Sequence, residues 1–171
     1  SMVLATEAGQ PLYRATVALD AAPASAPVPS VSAPAHHGAV YDGTLLFHGP
    51  ALQVLGADVC VDAAGATASL TSRPLQGAGG GVDVGAVDGA LQLALLWAKA
   101  ATGGPSLPMG IDEIVLHEAV LDDTAGLVLT RRTAQGAAGS ADISLVNSSG
   151  AAMATLRGVR TIRRPDVPSA K

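Results

Sequence analysis

The stretch from Val84 to Ala101 reads VGAVDGALQLALLWAKAA, and it decides the fold of this chain. Its apolar residues recur at intervals of three and four, the period of an α-helix, at Val84, Val87, Leu91, Ala94, Leu95 and Ala98. Leu93 and Trp97 extend the apolar surface around most of the circumference, and a helix that is apolar on nearly all sides is buried. The sequence therefore predicts a central core helix, which the Gly-Gly-Pro sequence at 103–105 ends.

Short segments that favour β-strands surround this helix. Upstream, the alternation of Leu12–Leu19 predicts a half-buried strand, and the alternating runs from Ala57 to Thr71, with a turn at Gly65, predict a hairpin. Downstream, four more predicted strands are Ile111–Leu121, Leu127–Thr133, Ala141–Val146 and Ala151–Ile162. One apolar helix followed by an antiparallel meander predicts an α+β hotdog fold, in which a curved antiparallel sheet wraps around one central helix.

Length and composition favour one globular domain. We expect residues 1–171 to form a single domain with an ordered core at about 11–165 and a proline- and alanine-rich loop at 21–35. Ser1-Met2 resembles a cloning remnant, so we expect the chain to be a piece of a larger, multidomain polypeptide. A lone cysteine, Cys60, and the lack of a leader predict a cytoplasmic location.

The composition also disfavours two classes of partner. Aromatic residues make up only 2% of the chain and its formal charge is −4, so nucleic acid is not an expected partner. Apolar residues make up 49% of the chain but are dispersed, so no membrane association is expected.

Three motifs follow one another along the chain: Tyr41-Asp42-Gly43 with LFHGPALQ at 46–53, then VDGALQ at 87–92, then LPMGI at 107–111. In this order and spacing they resemble the C-terminal hotdog of polyketide synthase dehydratase domains, including those of polyunsaturated-fatty-acid and enediyne synthases. The resemblance spans 41–114 by motif. It implies a domain of a multifunctional synthase.

The resemblance implies a catalytic pair, Asp88 and Gln92, because the family carries an Asp-x-x-x-Gln or Asp-x-x-x-His motif on the central helix. A spacing of four places both side chains on one helical face. The implied reaction removes water from a 3-hydroxyacyl thioester on the phosphopantetheine arm of an acyl carrier protein, and needs no metal or other cofactor. Aspartate helps to protonate the departing hydroxyl group, and glutamine steadies the aspartate.

Further residues are implied to shape the substrate site. By resemblance the walls include Phe47, Gly49, Pro50, Leu52 and Pro108. The amide groups at the start of the helix, near Gly85, are expected to polarise the thioester carbonyl.

The catalytic base is where the sequence departs from the family. The family's histidine lies in a His-x-x-x-Gly-x-x-x-x-Pro motif in the N-terminal hotdog, and none of His36, His37, His48 and His117 fits that pattern. His48 is the first candidate for a substitute base, although a turn histidine bonded to backbone is the simpler interpretation. Three alternatives stay open: a partner hotdog elsewhere in the parent polypeptide, a homodimer with a shared site, and a relic without chemistry.

Simpler interpretations apply to other features. Asp88 and Gln92 are also compatible with a carboxylate favoured by the helix dipole and a space-filling glutamine. The glycines of 77–81 lack the lysine of a phosphate-binding loop and favour a flexible entrance to the helix. The basic C-terminal end is by default a solvated strand face, or alternatively a docking patch for an acidic carrier protein, with Arg157, Arg160, Arg163, Arg164 and Lys171.

For the whole domain, the alternatives to a dehydratase are a non-catalytic scaffold and an acyl thioesterase.

Overall fold

The computed structural model describes residues 2–18, 27–71, 83–118, 121 and 124–164. The glycine-rich stretch at 77–81 and the first part of the predicted loop, 21–26, lie outside these residues. The helices are the 3₁₀ turn Pro50–Leu52 and α1, Val84–Thr102. The strands are β1 Met2–Ala5, β2 Pro11–Ala15, β3 Cys60–Val61, β4 Gly65–Ser69, β5 Ser106–Gly110, β6 Glu113–Leu116, β7 Thr124–Gln135, β8 Ala138–Asn147 and β9 Ala152–Arg163.

Helix α1 begins and ends at local signals in the sequence. The Asp83 carboxylate accepts a hydrogen bond from the Ala86 backbone N–H at 2.9 Å and so caps the first turn. Gly103 adopts a left-handed conformation with φ of 79°, and its N–H donates to the carbonyl of Lys99. The predicted helix and its C-terminal stop are therefore confirmed.

Seven antiparallel strands form the sheet against which α1 packs. Their order is β3-β4-β7-β8-β9-β5, and β6 also pairs with β9. The core between helix and sheet contains large side chains at most 1% exposed, among them Leu93, Trp97, Leu127, Leu129, Ile143, Leu145 and Leu156. Each fully buried side chain of this size contributes about 1.5–3 kcal/mol. By length and composition α1 is able to cross a membrane, but 61% of that stretch is buried inside the domain, as in a core helix.

Gly89 lets the first half of α1 approach the segments beneath it closely. A Cβ atom at this position would lie 3.0 Å from a methyl group of Leu70 and 3.0 Å from one of Val54. The absence of a side chain therefore lets α1 lie directly against Val54, just after the 3₁₀ turn, and against Leu70.

The N-terminal strand does not join this sheet, which corrects one prediction. Strand β2 pairs with β1 in a separate two-stranded sheet. The alternation of Leu12–Leu19 predicted a half-buried face, but Ala15 is exposed and Val17 is 57% exposed. Alternation indicates that the two faces of a strand differ, but it does not indicate whether a second layer covers the apolar face.

The strands downstream of α1 are confirmed, with one addition. Within 111–118 and 121, the described part of the segment Ile111–Leu121, the short β6 is the one strand; β7 and β8 extend beyond their predicted segments at both ends, and β9 is shifted by one residue. Strand β5 was not predicted because it contains Pro108, which lacks a backbone donor. It is tolerated here because, among the described strands, β5 pairs with β9 on one side and lies at the edge of the sheet.

Candidate active site

Asp88 and Gln92 lie one turn apart on α1, and their side chains are in contact. The Gln92 Nε2 atom donates a hydrogen bond to Asp88 Oδ2 over 2.6 Å. The side chain of Asp88 is 31% exposed, so the carboxylate is both held by the amide and accessible. This is the contact that a spacing of four residues predicts.

The amide of Gln92 is buried, and its nitrogen and oxygen atoms both have hydrogen-bond partners. Gln92 is 1% exposed. Besides Asp88, its Nε2 atom donates to the carbonyl of Leu52 at 2.7 Å, and its Oε1 atom accepts from the Tyr41 hydroxyl at 2.7 Å. Because an unpaired buried amide is costly, these contacts fix the position of the side chain.

A turn at Asp42 holds the segment that passes over this part of α1. The hydroxyl group of Thr44 and the backbone amides of Thr44 and Leu45 donate hydrogen bonds to Asp42, and they lower the pKa of its carboxyl to about 2. The side chains of Leu45 and Leu46, immediately after the turn, are 6% and 0% exposed. The segment is therefore anchored in the core just before it reaches His48.

His48 faces Asp88 across a short gap. Its Nε2 atom lies 4.0 Å from Asp88 Oδ2, beyond hydrogen-bond range, and the two side chains are 18% and 31% exposed. Its Nδ1 atom is buried and has no hydrogen-bond partner in the part of the chain that the structure describes. The ring of Phe47 stacks on the imidazole with centroids 5.7 Å apart, although Phe47 itself is 70% exposed.

These groups open onto a cleft of about 180 Å³ between α1, the 44–48 segment and β5. Its apolar lining comes from Leu45, Phe47, Leu91, Leu95, Pro105, Leu107 and Pro108. Its polar lining comes from Thr44, His48, Asp88, Gln92, Ser106 and Arg164. The cleft therefore offers an apolar surface for a hydrocarbon chain, with acid–base groups grouped at one place.

The structure brings together five of the nine site residues suggested by the motifs. Those that line the cleft are Phe47, His48, Asp88, Gln92 and Pro108. Leu52 lies outside the lining and supplies the carbonyl that binds Gln92. Gly49 and Pro50 begin the 3₁₀ turn, and Gly85 is buried in the first turn of α1; none of the three lines the cleft.

Sequence reasoning gave no role to Tyr41, whose hydroxyl group joins the site through Gln92. Tyr41 is the first residue of the first motif, and the family resemblance assigns it no role. Tyr41 and Gln92 are 51 positions apart in the sequence, so no local spacing predicts their contact.

Other candidate features of the described residues do not form a comparable site. A shallow depression of about 330 Å³ on β4 and β7 is open to solvent, and its carboxylate, Asp58, is bonded to Ser69. No group of three His, Cys, Asp or Glu side chains able to hold a metal occurs in the described ranges. In the basic C-terminal strand, Arg157 pairs with Glu113 at 2.8 Å and Arg160 with Asp112 at 3.3 Å.

Comparison with known proteins identifies the family. The family model described as the polyketide synthase dehydratase N-terminal domain matches residues 19–171. The chain belongs to the polyketide synthase dehydratase family. This confirms the predicted family, while the choice of half stays a prediction, because the matching description names the N-terminal domain and the Asp88-x-x-x-Gln92 motif resembles the C-terminal hotdog.

A curated relative supports the same assignment. The chain is 34% identical over 142 residues to a polyunsaturated fatty acid synthase polypeptide of Thraustochytrium sp. (strain ATCC 26185 / S-3), and the match covers 74% of this chain. It spans only 5% of the relative's length, so the chain corresponds to a small part of such a protein.

Two solved structures show the shared fold. The dehydratase domain of a mycocerosic acid synthase-like polyketide synthase aligns with a TM-score of 0.59 and 17% identity, over 69% of this chain and 44% of that one. The dehydratase domain of PpsC from Mycobacterium tuberculosis, solved in complex with C12:1-CoA, aligns with a TM-score of 0.53 and 17% identity, over 72% and 48%. The predicted hotdog fold is thereby confirmed, and the chain spans less than half the length of these structures.

Proposed function

We propose that this domain takes part in the dehydration of 3-hydroxyacyl thioesters within a polyketide or polyunsaturated fatty acid synthase. The observation that carries the proposal is the position of Asp88, which a buried glutamine holds at the wall of an apolar cleft, 4.0 Å from His48. The family assignment supports a dehydratase-type lyase. Acid–base catalysis requires an acid and a base that both reach one substrate, and two side chains 4.0 Å apart in the lining of one cleft meet this requirement.

The proposed reaction transfers two protons and breaks one carbon–oxygen bond. His48 takes the proton from the α-carbon of the thioester, and the electron pair of that C–H bond becomes the second bond between the α- and β-carbons. The C–O bond at the β-carbon breaks, and Asp88 gives a proton to the departing hydroxyl group, which leaves as water. The proton then returns from His48 to Asp88, whose atoms lie 4.0 Å apart.

The cleft supports a thioester-bound acyl chain as the substrate. Its leucine and proline lining fits a hydrocarbon chain, and one structural relative holds C12:1-CoA. We propose that the chain arrives on the phosphopantetheine arm of an acyl carrier protein. The protein contributes only proton transfers to this elimination, so the proposal includes no metal or other cofactor. We also propose a cytoplasmic location for the synthase.

A second hotdog is part of the proposal, either from the same synthase or from a second copy of this chain. Among the described residues, β5 has no strand partner on its outer side, which lies beside the cleft, and it exposes Leu107 by 45% and Met109 by 63%. Exposed apolar residues at a sheet edge favour association. Light scattering of the isolated chain distinguishes a homodimer from a monomer that needs another part of the synthase.

The test of the function is incubation of the chain with two pantetheine thioesters, one 3-hydroxyacyl and one saturated acyl. The proposal predicts an enoyl thioester from the first and no reaction with the second. Release of free acid from both would instead show a thioesterase. No product from either, with the fold confirmed by circular dichroism, would contradict independent catalysis by this chain and favour a scaffold role.

A further inference from the structure

The hydroxyl group of Tyr41 sits between the backbone and the amide that holds Asp88. Tyr41 Oη accepts a hydrogen bond from the backbone N–H of Leu55 at 2.8 Å. The same oxygen donates its proton to Gln92 Oε1 at 2.7 Å. A continuous chain of hydrogen bonds therefore runs from the Leu55 backbone through Tyr41 and Gln92 to Asp88.

The two backbone groups in this network fix the direction of every bond. The N–H of Leu55 is only able to donate, so the Tyr41 hydroxyl accepts from it and directs its own proton to Gln92. The carbonyl of Leu52 is only able to accept, so the Nε2 end of the Gln92 amide must point towards it. The second Nε2 proton then points at Asp88 Oδ2.

A reversed amide would disrupt three contacts. Its Oε1 atom would face both the Leu52 carbonyl and the Asp88 carboxylate, placing acceptors against acceptors. The proton of the Tyr41 hydroxyl would face an NH₂ group. The network therefore tolerates one orientation, in which glutamine donates to the aspartate.

The state of the Tyr41 hydroxyl supports this orientation throughout the neutral range. Burial raises the pKa of Tyr41 above its ordinary value of 10.0, and the nearby negative charge of Asp88 adds to the rise. The backbone N–H of Leu55 lowers the pKa in part. The hydroxyl group therefore keeps its proton at the pH of an enzyme assay and remains a donor to Gln92.

We propose that Tyr41 is a positioning residue of the dehydration reaction, which holds the Gln92 amide so that its NH₂ group keeps Asp88 aimed into the cleft. This rests on the proposed function for its effect on turnover. It adds a residue, from outside the helix, that acts on Asp88 through Gln92. Tyr41 itself does not line the cleft, so it has no direct contact with a substrate there.

The kinetic experiment uses Tyr41→Phe, which removes one oxygen atom and keeps the ring. We expect kcat for the 3-hydroxyacyl pantetheine thioester to fall about 10- to 100-fold, as small misplacements of catalytic groups do, with KM changed less than about twofold. Tyr13→Phe, at the only other tyrosine of the chain, is the matched control and should retain the wild-type kcat.

A double variant separates positioning through Gln92 from a general structural role. If Tyr41 acts through Gln92, then Tyr41→Phe combined with Gln92→Met should be no slower than Gln92→Met alone, because coupled residues do not add. Independent losses that multiply would overturn the proposal, and so would an unchanged kcat in Tyr41→Phe.

A measurement without turnover keeps the proposal testable if the chain proves not to be a dehydratase or if the variant fails to fold. In the wild-type protein, the Gln92 side-chain amide should give two ¹H–¹⁵N signals that are protected from solvent exchange. The Tyr41 hydroxyl proton should also give a signal, with nuclear Overhauser contacts to neighbouring protons of the protein. Rapidly exchanging Gln92 amide protons would overturn the proposed hydrogen-bond network. Protected signals in a protein without dehydratase activity would contradict the proposed function alone.

Discussion

Replacing Gln92 by methionine tests whether the buried amide stabilises the site. The change keeps most of the side-chain volume and removes all three hydrogen bonds of the amide. The Leu52 carbonyl then loses its donor and the Tyr41 hydroxyl loses its acceptor, although the Leu55 N–H still donates to that hydroxyl. A fully buried polar group left without a partner costs about 1–3 kcal/mol, and both contacts are partly buried, so the two together should lower the free energy of unfolding by about 1–3 kcal/mol. Asp88 adds less, because its side chain is 31% exposed and remains hydrated.

Urea unfolding followed by the fluorescence of the single tryptophan, Trp97, measures this loss. Gln135→Met is the matched control, since Gln135 is exposed at the end of β7, and it should change stability by less than about 0.5 kcal/mol. If Gln92→Met unfolds at the same urea concentration as the control, then the Gln92 amide is not held in a buried network and the reasoning is refuted.

Two further predictions concern packing and pH. Gly139→Ala should cost about 1–3 kcal/mol in the same unfolding assay, because the new Cβ atom would lie 3.0 Å from the ring of the fully buried Trp97; an unchanged stability would refute this close contact. The side-chain hydroxyl of Ser69 lowers the pKa of Asp58 below its ordinary value of 3.8, so this carboxylate stabilises the fold above that pH and loses its contribution as the pH falls through the lowered value. Asp58→Asn should therefore unfold at lower urea than wild type at pH 7, and the difference should shrink below about pH 4; a difference that does not depend on pH would contradict it.

The features that the sequence predicted correctly depend on local spacing. Helix α1 could be predicted because its apolar residues follow the helical period and its end carries Gly103. The contact between Asp88 and Gln92 could be predicted because residues four apart meet on any helix. These local relations do not depend on how the rest of the chain folds.

The features that the sequence did not reveal depend on which elements lie side by side. The contact between Tyr41 and Gln92 exists because the 41–55 segment crosses over α1, and neither residue type requires it. Strand β5 contains proline, so only its place at the edge of the sheet permits it. The alternation of Leu12–Leu19 gave no information about the layer that would cover it, and its described part lies exposed.

The most direct test of the site is turnover by Asp88→Asn, which keeps the shape of the side chain and removes its acidic proton. With a 3-hydroxyacyl pantetheine thioester, we expect formation of the enoyl product to fall by at least about 100-fold, the lower end of what a general acid contributes. Asp112→Asn, at an exposed carboxylate paired with Arg160, should retain wild-type turnover. Enoyl product formed by Asp88→Asn at the wild-type rate would remove Asp88 from the chemistry and contradict the proposed site.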